Sequence, residues 1–214
     1  MRQPITDTLR SYPWRHQMLC LLPLVLLLLY LSAAVGTGKD VTLHFKEVKE
    51  LHPMTTQIMR FLTNWTNIAL YGVYAALFLH GLRSGQKSLV RFILVFTAVQ
   101  IFVSAVLVQI TKIVVGRPRP LLALEGFSYS PFSSSGAFHS FPSGHTSEIS
   151  GAAFPLANWY RHPLFSLFLG LIVAVIGFSR IYLSMHHISD VAGGLVVGVF
   201  AGLLNHHLCS REQS

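Results

Sequence analysis

Ser179-Arg180-Ile181-Tyr182-Leu183-Ser184-Met185-His186-His187-Ile188-Ser189-Asp190 is the most polar short segment in an otherwise apolar C-terminal half. It separates two uncharged runs, 164–178 and 191–208, that read as membrane spans. Ionisable side chains at such a boundary are costly unless they have work to do. If the chain is helical from His186 onward, His186 and Asp190 lie on one face, about 6 Å apart along the axis. That spacing lets a carboxylate hold an imidazole in one tautomer and raise its basicity. Arg180 adds a planar positive fork. The segment reads as half of an anion-handling site, so the rest of the chain must supply the other half.

The composition supports a membrane setting. Of the 214 residues, 52% are hydrophobic and 11% charged, well under the roughly 25% charged of a soluble domain. The mean hydropathy is +0.53. The formal net charge of +8 is spread over loops rather than gathered in a stripe. This argues against a nucleic-acid partner and for topogenic charge beside anionic head groups. Cys20 and Cys209 form no Cys-x-x-Cys pair and read as unpaired thiols.

Working outward, the pattern predicts an all-α, polytopic helical bundle with six spans, 18–35, 65–82, 92–111, 144–160, 164–178 and 191–208, in a single domain over 1–214. For the first span, a cleaved signal peptide is the rival, because Ser32-Ala33-Ala34 follows the apolar core. The core's length favours a retained span. Between 36 and 64, charged and apolar residues alternate, as in a short interfacial helix broken at Pro53. Asn64-Trp65-Thr66 matches a glycosylation sequon but abuts a span. Trp14, Trp65 and Trp159 fall at span ends, as an aromatic belt requires.

Six spans place both termini on one side, with Arg2, Arg10, Arg15, Arg83, Lys87, Arg91, Arg161 and Arg211. The other side carries Lys39, Lys46, Lys49, Arg60, Lys112, Arg117, Arg119 and Arg180. The tally is even until Lys112, Arg119 and Arg180 are set aside as site residues. The balance then puts the termini in the cytoplasm, with the loop 83–91 as its clearest vote. Loop 112–143 and the opening segment emerge together on the opposite face.

Three polar patches therefore converge: Lys112 to Pro120, Phe141-Pro142-Ser143-Gly144-His145, and the opening segment. Lys112, Arg119 and Arg180 supply cationic donors suited to phosphate. Ser143 and Gly144 precede a helix whose N-terminus favours an anion. His145 and His186 allow one nucleophile and one general acid, with Asp190 as orienter. The sequence carries no Asp/Glu cluster of the kind that binds a divalent metal, which predicts metal-independent chemistry with no cofactor.

These residues, Lys112-x6-Arg119-Pro120, Pro142-Ser143-Gly144-His145 and Ser179-Arg180-x5-His186-x3-Asp190, resemble the three signature motifs of the type-2 phosphatidic acid phosphatase superfamily, in order, over roughly residues 60–205. The resemblance implies that His186 forms a phosphohistidine, that Asp190 orients it, and that His145 protonates the leaving oxygen. Lys112, Arg119, Ser143, Gly144 and Arg180 would hold the phosphoryl oxygens. The implied enzyme is an integral-membrane lipid phosphatase. Its substrate would be phosphatidic acid, phosphatidylglycerophosphate, a polyprenyl diphosphate or a lipid A type phosphate. Its partners would be that lipid and the bilayer, and the compact chain fits a bacterial cytoplasmic membrane with the site on the outer face. Vanadate-dependent haloperoxidases share the motifs, but six apolar spans disfavour them. A lipid phosphotransferase and a non-catalytic scaffold or transporter are the remaining alternatives.

The neighbouring polar residues have plainer readings. His187 points about 100° from His186 on a helix and reads as structural. His139 reads as a solvated loop residue, Arg117 as a head-group or surface contact, and His206 and His207 as interfacial. Glu148, one turn below His145, either tunes that histidine, meets a head group, or is a buried hydrogen-bonded carboxyl.

Overall fold

The computed structural model describes residues 12–210, and every regular element among them is helical. Helix α1 (Trp14–Ala34) is the Leu-rich first run. It packs along α8 (Pro163–Tyr182) and buries Cys20, Leu24, Leu28 and Leu31. Arg2, Arg10 and Arg211, counted above for orientation, lie outside the described residues.

The segment 36–64 is not one surface piece. Helix α2 (Lys39–Leu51) buries Val41, Thr42 and Phe45. Phe45 meets the rings of Phe178 and Tyr182, at 5.7 and 5.5 Å between centroids. The chain breaks at His52, and Pro53 starts α3 (Pro53–Arg83) at a position that needs no intrahelical N–H partner. Helix α3 absorbs both the apolar patch at 54–62 and the expected span 65–82, because no Pro or Gly interrupts 54–71.

After a tight turn, α4 (Lys87–Gln100) runs into a π-helical stretch (Ile101–Leu107) and then α5 (Val108–Val115). Lys112 therefore sits in the last turn of a helix rather than in the loop that follows. A short α6 (Pro120–Leu124) and an irregular segment lead to α7 (Gly144–Tyr160), α8 and α9 (Ile188–Ser210).

Among the described residues, four helical stretches are long and apolar enough to cross a membrane: Trp14–Ala34, Lys87–Leu124, Pro163–Tyr182 and Ile188–Ser210. The two other expected spans, α3 and α7, fall short for a physical reason. Helix α7 is sheathed by protein, packed on α8 and α9 and touched by α1, α3 and α4. All its residues except His145, Glu148, Trp159 and Tyr160 are buried. A helix that meets protein instead of lipid can carry Thr146, Ser147, Ser150 and Asn158. Helix α3 likewise carries Asn67 and Thr63 on its buried side.

Close approach of α9 to α7 depends on small residues. A Cβ at Gly194 would come within 2.6 Å of the Ser143 backbone oxygen, and one at Gly198 would strike Ser150. Gly194→Ala is expected to push α9 away from the start of α7. It should destabilise the protein by about 1–3 kcal/mol, read as a lower thermal unfolding midpoint in detergent. An unchanged midpoint would mean that the two helices separate freely there.

Candidate active site

The three sequence patches meet at the N-terminus of α7. Ser143 is its N-cap, and the hydroxyl accepts hydrogen bonds from the Thr146 N–H (3.5 Å) and the Thr146 hydroxyl (3.0 Å). The Ser143 N–H donates to the Asp190 backbone oxygen at 2.9 Å, which ties the start of α7 to α9. Gly144 lies close under Lys112, since a Cβ there would come within 3.0 Å of the lysine Nζ. The Lys112 ammonium thus sits over the helix terminus, whose first-turn N–H groups have no intrahelical acceptors.

His145 is half-buried one residue on, and Arg180, His186, Lys112 and Arg119 all lie close enough for their charges to act on it. Arg180 is buried, 6% exposed, and donates from Nη1 to Thr63 Oγ1 at 3.1 Å. Arg119 is held by its N–H to the Ala137 carbonyl and by Nη1 to Met185 Sδ at 3.4 Å. The Nε atoms of both arginines are buried without a hydrogen-bond partner. Buried N–H groups of this kind cost free energy until an acceptor arrives.

His186 does not begin a helix. It lies in the loop between α8 and α9, and α9 starts two residues later. The side-chain contact expected from helical spacing changes accordingly. His186 Nδ1 is 2.7 Å from the Ser140 backbone oxygen and 3.8 Å from Asp190 Oδ2. The first is a hydrogen bond and the second is too long to be one. A carbonyl only accepts, so Nδ1 carries the proton and Nε2 carries the lone pair. Burial pushes the His186 pKa down, and the Arg180 charge adds to this. The Asp190 carboxylate and the Ser140 carbonyl oppose it. The balance favours the neutral imidazole a nucleophile needs.

Asp190 is fully buried and organises the neighbourhood. Its Oδ2 accepts from Ser140 Oγ at 2.5 Å and from the His187 N–H at 2.8 Å. Its Oδ1 pairs with Arg117 Nη1 at 2.6 Å. Arg117 also donates to Ser189 Oγ at 2.8 Å. Arg117 is therefore not a surface contact but the charge partner of the buried carboxylate. Asp190 fixes His186 indirectly, by holding Ser140, and at a distance through its charge. Spacing could not reveal Ser140, because it meets His186 through its backbone. His187 takes the structural place expected of it, with Nε2 at 3.3 Å from the Pro118 carbonyl. His139 is half-buried and bonds the Ser133 carbonyl inside the loop.

Two cavities adjoin the cluster. One, about 310 Å³, is lined by Arg180 with Arg60, Thr63, Asn64, Leu183 and Met185. The larger, about 560 Å³, is an apolar groove between α3 and α4 that includes the start of the π-helical stretch. Glu148 is its only charged lining residue. Among the described residues, no group of three or more His, Cys, Asp or Glu is placed to hold a metal ion.

The sequence matches the PAP2 superfamily over residues 88–213. It is 33% identical over 110 residues to a lipid A 1-phosphatase of Rhizobium johnstonii, covering 50% of this chain and 44% of that protein. It is 34% identical over 146 residues to the putative undecaprenyl-diphosphatase YbjG of Escherichia coli, covering 64% and 69%. Undecaprenyl-diphosphatase BcrC of Bacillus subtilis is 28% identical over 147 residues, covering 69% and 71%. The chain matches a little under half the length of the Rhizobium lipid A 1-phosphatases. No solved structure matches it.

The Arg117–Asp190 pair makes a quantitative expectation. Removing one partner strands a buried carboxylate, which costs about 3 kcal/mol, the lower end of the usual range because Arg117 is 21% exposed. Arg117→Gln should lower the thermal unfolding midpoint accordingly, and Arg117→Lys should lower it less. An Arg117→Gln midpoint equal to wild type would return this arginine to the surface.

Proposed function

The chain belongs to the PAP2 superfamily, and from that membership we propose that it is an integral-membrane lipid phosphatase. It hydrolyses a terminal phosphate monoester or diphosphate of a lipid through a phosphohistidine on His186. The observation that carries this reading is the pair of buried, unpartnered guanidinium N–H groups of Arg119 and Arg180 beside the α7 N-terminus and the neutral His186 imidazole. Such an array lacks only an anion with several acceptor oxygens.

In the first step, His186 Nε2 forms an N–P bond while the P–O bond to the lipid breaks, and His145 gives a proton to the departing oxygen. Lys112, Arg119, Arg180 and the N–H groups at Ser143-Gly144 hold the three equatorial oxygens as charge builds up. In the second step, water attacks phosphorus and passes a proton to His145. The N–P bond breaks, and inorganic phosphate leaves. No step calls for a metal.

The apolar groove between α3 and α4 suits the lipid's hydrocarbon chain, since it opens beside the cluster and is lined mostly by aliphatic and aromatic side chains. With α3 and α7 added to the four apolar stretches, the chain makes six crossings, and α2 lies at the interface. Charge balance puts the termini in the cytoplasm and the site on the outer face of a bacterial inner membrane. Relatives named as lipid A phosphatases and undecaprenyl-diphosphatases support a phosphate on a large apolar anchor.

His186→Asn should reduce phosphate release from a lipid phosphate panel to background in purified protein, while excess chelator leaves wild-type turnover within about twofold. Full activity in His186→Asn, or a strict divalent-cation requirement, would contradict the mechanism.

A further inference from the structure

Glu148 is the one charged side chain on the wall of the apolar groove, and it stands where the groove meets the cationic cluster. It lies three residues after His145 on α7, on the same helix face. Lys112 and Arg180 are near enough to feel its charge. Its carboxylate is held in place. Asn67, itself 93% buried, donates from Nδ2 to Oε2 at 2.8 Å. Gln100 fixes the local backbone by donating from Nε2 to the Glu148 carbonyl at 2.9 Å and to Tyr71 Oη at 3.0 Å. These amide orientations follow from chemistry, because a carboxylate and a carbonyl can only accept. Glu148 is only half-buried. The second carboxylate oxygen is left to meet whatever enters the groove.

Resting on the phosphatase reading above, the leaving oxygen is the one that His145 protonates. The group attached to it must pass Glu148, one turn further along α7, to reach the groove. An acceptor-only carboxylate there attracts an O–H or N–H donor. It repels the inner phosphate of a diphosphate, which offers only acceptors and negative charge. We infer that Glu148 is a specificity-determining residue: it selects lipid phosphate monoesters that carry a hydroxyl or an N–H beside the phosphate-bearing carbon, and it disfavours lipid diphosphates.

The rival role for Glu148 is a plain counter-ion to Lys112 and Arg180. A counter-ion affects every substrate alike, whereas a selector changes their ratio. The test measures kcat/KM for phosphate release by the purified full chain on three probes. Lysophosphatidic acid has a free hydroxyl next to the phosphate-bearing carbon, phosphatidic acid has an ester there, and farnesyl diphosphate has an inner phosphate. Wild type should favour lysophosphatidic acid over farnesyl diphosphate. Glu148→Gln should cut the lysophosphatidic acid value by about tenfold or more, while the phosphatidic acid and farnesyl diphosphate values fall far less or rise. Asn67→Leu, which frees the carboxylate, should shift the same ratio in the same direction by less. A ratio of substrates does not depend on the folded fraction, so partial misfolding of a variant leaves the test intact. Equal changes on all three probes, or a wild type faster on farnesyl diphosphate, would overturn the selectivity and leave the phosphatase reading standing. A wild type inactive on all three would overturn the selectivity, and one inactive on the wider lipid phosphate panel as well would remove both.

Discussion

Asp190 is a carboxylate with no exposed surface in a helical bundle, and that constraint shapes the site around it. A buried charge without partners costs several kcal/mol. Here it draws in the Arg117 guanidinium, the Ser140 hydroxyl and the His187 N–H. Each partner comes from a different stretch of chain, so satisfying one carboxylate ties the loop after α5, the approach to α7 and the start of α9 together. The Ser140 carbonyl then reaches His186 Nδ1 at 2.7 Å. The histidine's tautomer is thus a consequence of how Asp190 is buried.

The same economy explains the centre of the bundle. Helix α7 lacks the apolar surface of a lipid-facing span because its neighbours enclose it. Enclosure lets it bring a helix terminus, His145 and Glu148 to one end. Three cations are then crowded around that end, two with unpartnered Nε atoms. Such a cluster is poised for a phosphate group, whose oxygens supply the missing acceptors. The apolar groove beside it meets the cations at Glu148, so one acidic side chain stands between the cationic cluster and the groove.

Much of this was legible in the sequence, for identifiable reasons. Lys112, Arg119, Ser143, Gly144, His145, Arg180 and His186 sit at the ends of apolar runs, and membrane crossings bring alternate ends together. The break at Pro53 was legible because proline starts a helix well and continues one badly. Other features were not. His186 and Asp190 suggest a helical i, i+4 pair, but the helix begins at Ile188 and a backbone carbonyl takes the hydrogen bond. Backbone partners leave no residue-type signal, so Ser140 was invisible. Arg117 looks like any basic loop residue until the fold reveals a buried carboxylate beside it. Hydropathy sets α3 and α7 apart from the four apolar stretches, because it registers composition alone and takes no account of whether a polar residue such as Thr63, Asn67, Ser147 or Ser150 is buried against protein.

The hydrogen bond from Nδ1 to the Ser140 carbonyl leaves the lone pair of His186 on Nε2, the atom proposed to attack phosphorus. Acid-sensitive phosphoenzyme trapped during turnover, digested and examined by mass spectrometry and phosphorus NMR, tests it directly. The expected product carries phosphate on His186 at Nε2. Phosphate at Nδ1 of His186, or on any other residue, would contradict the account.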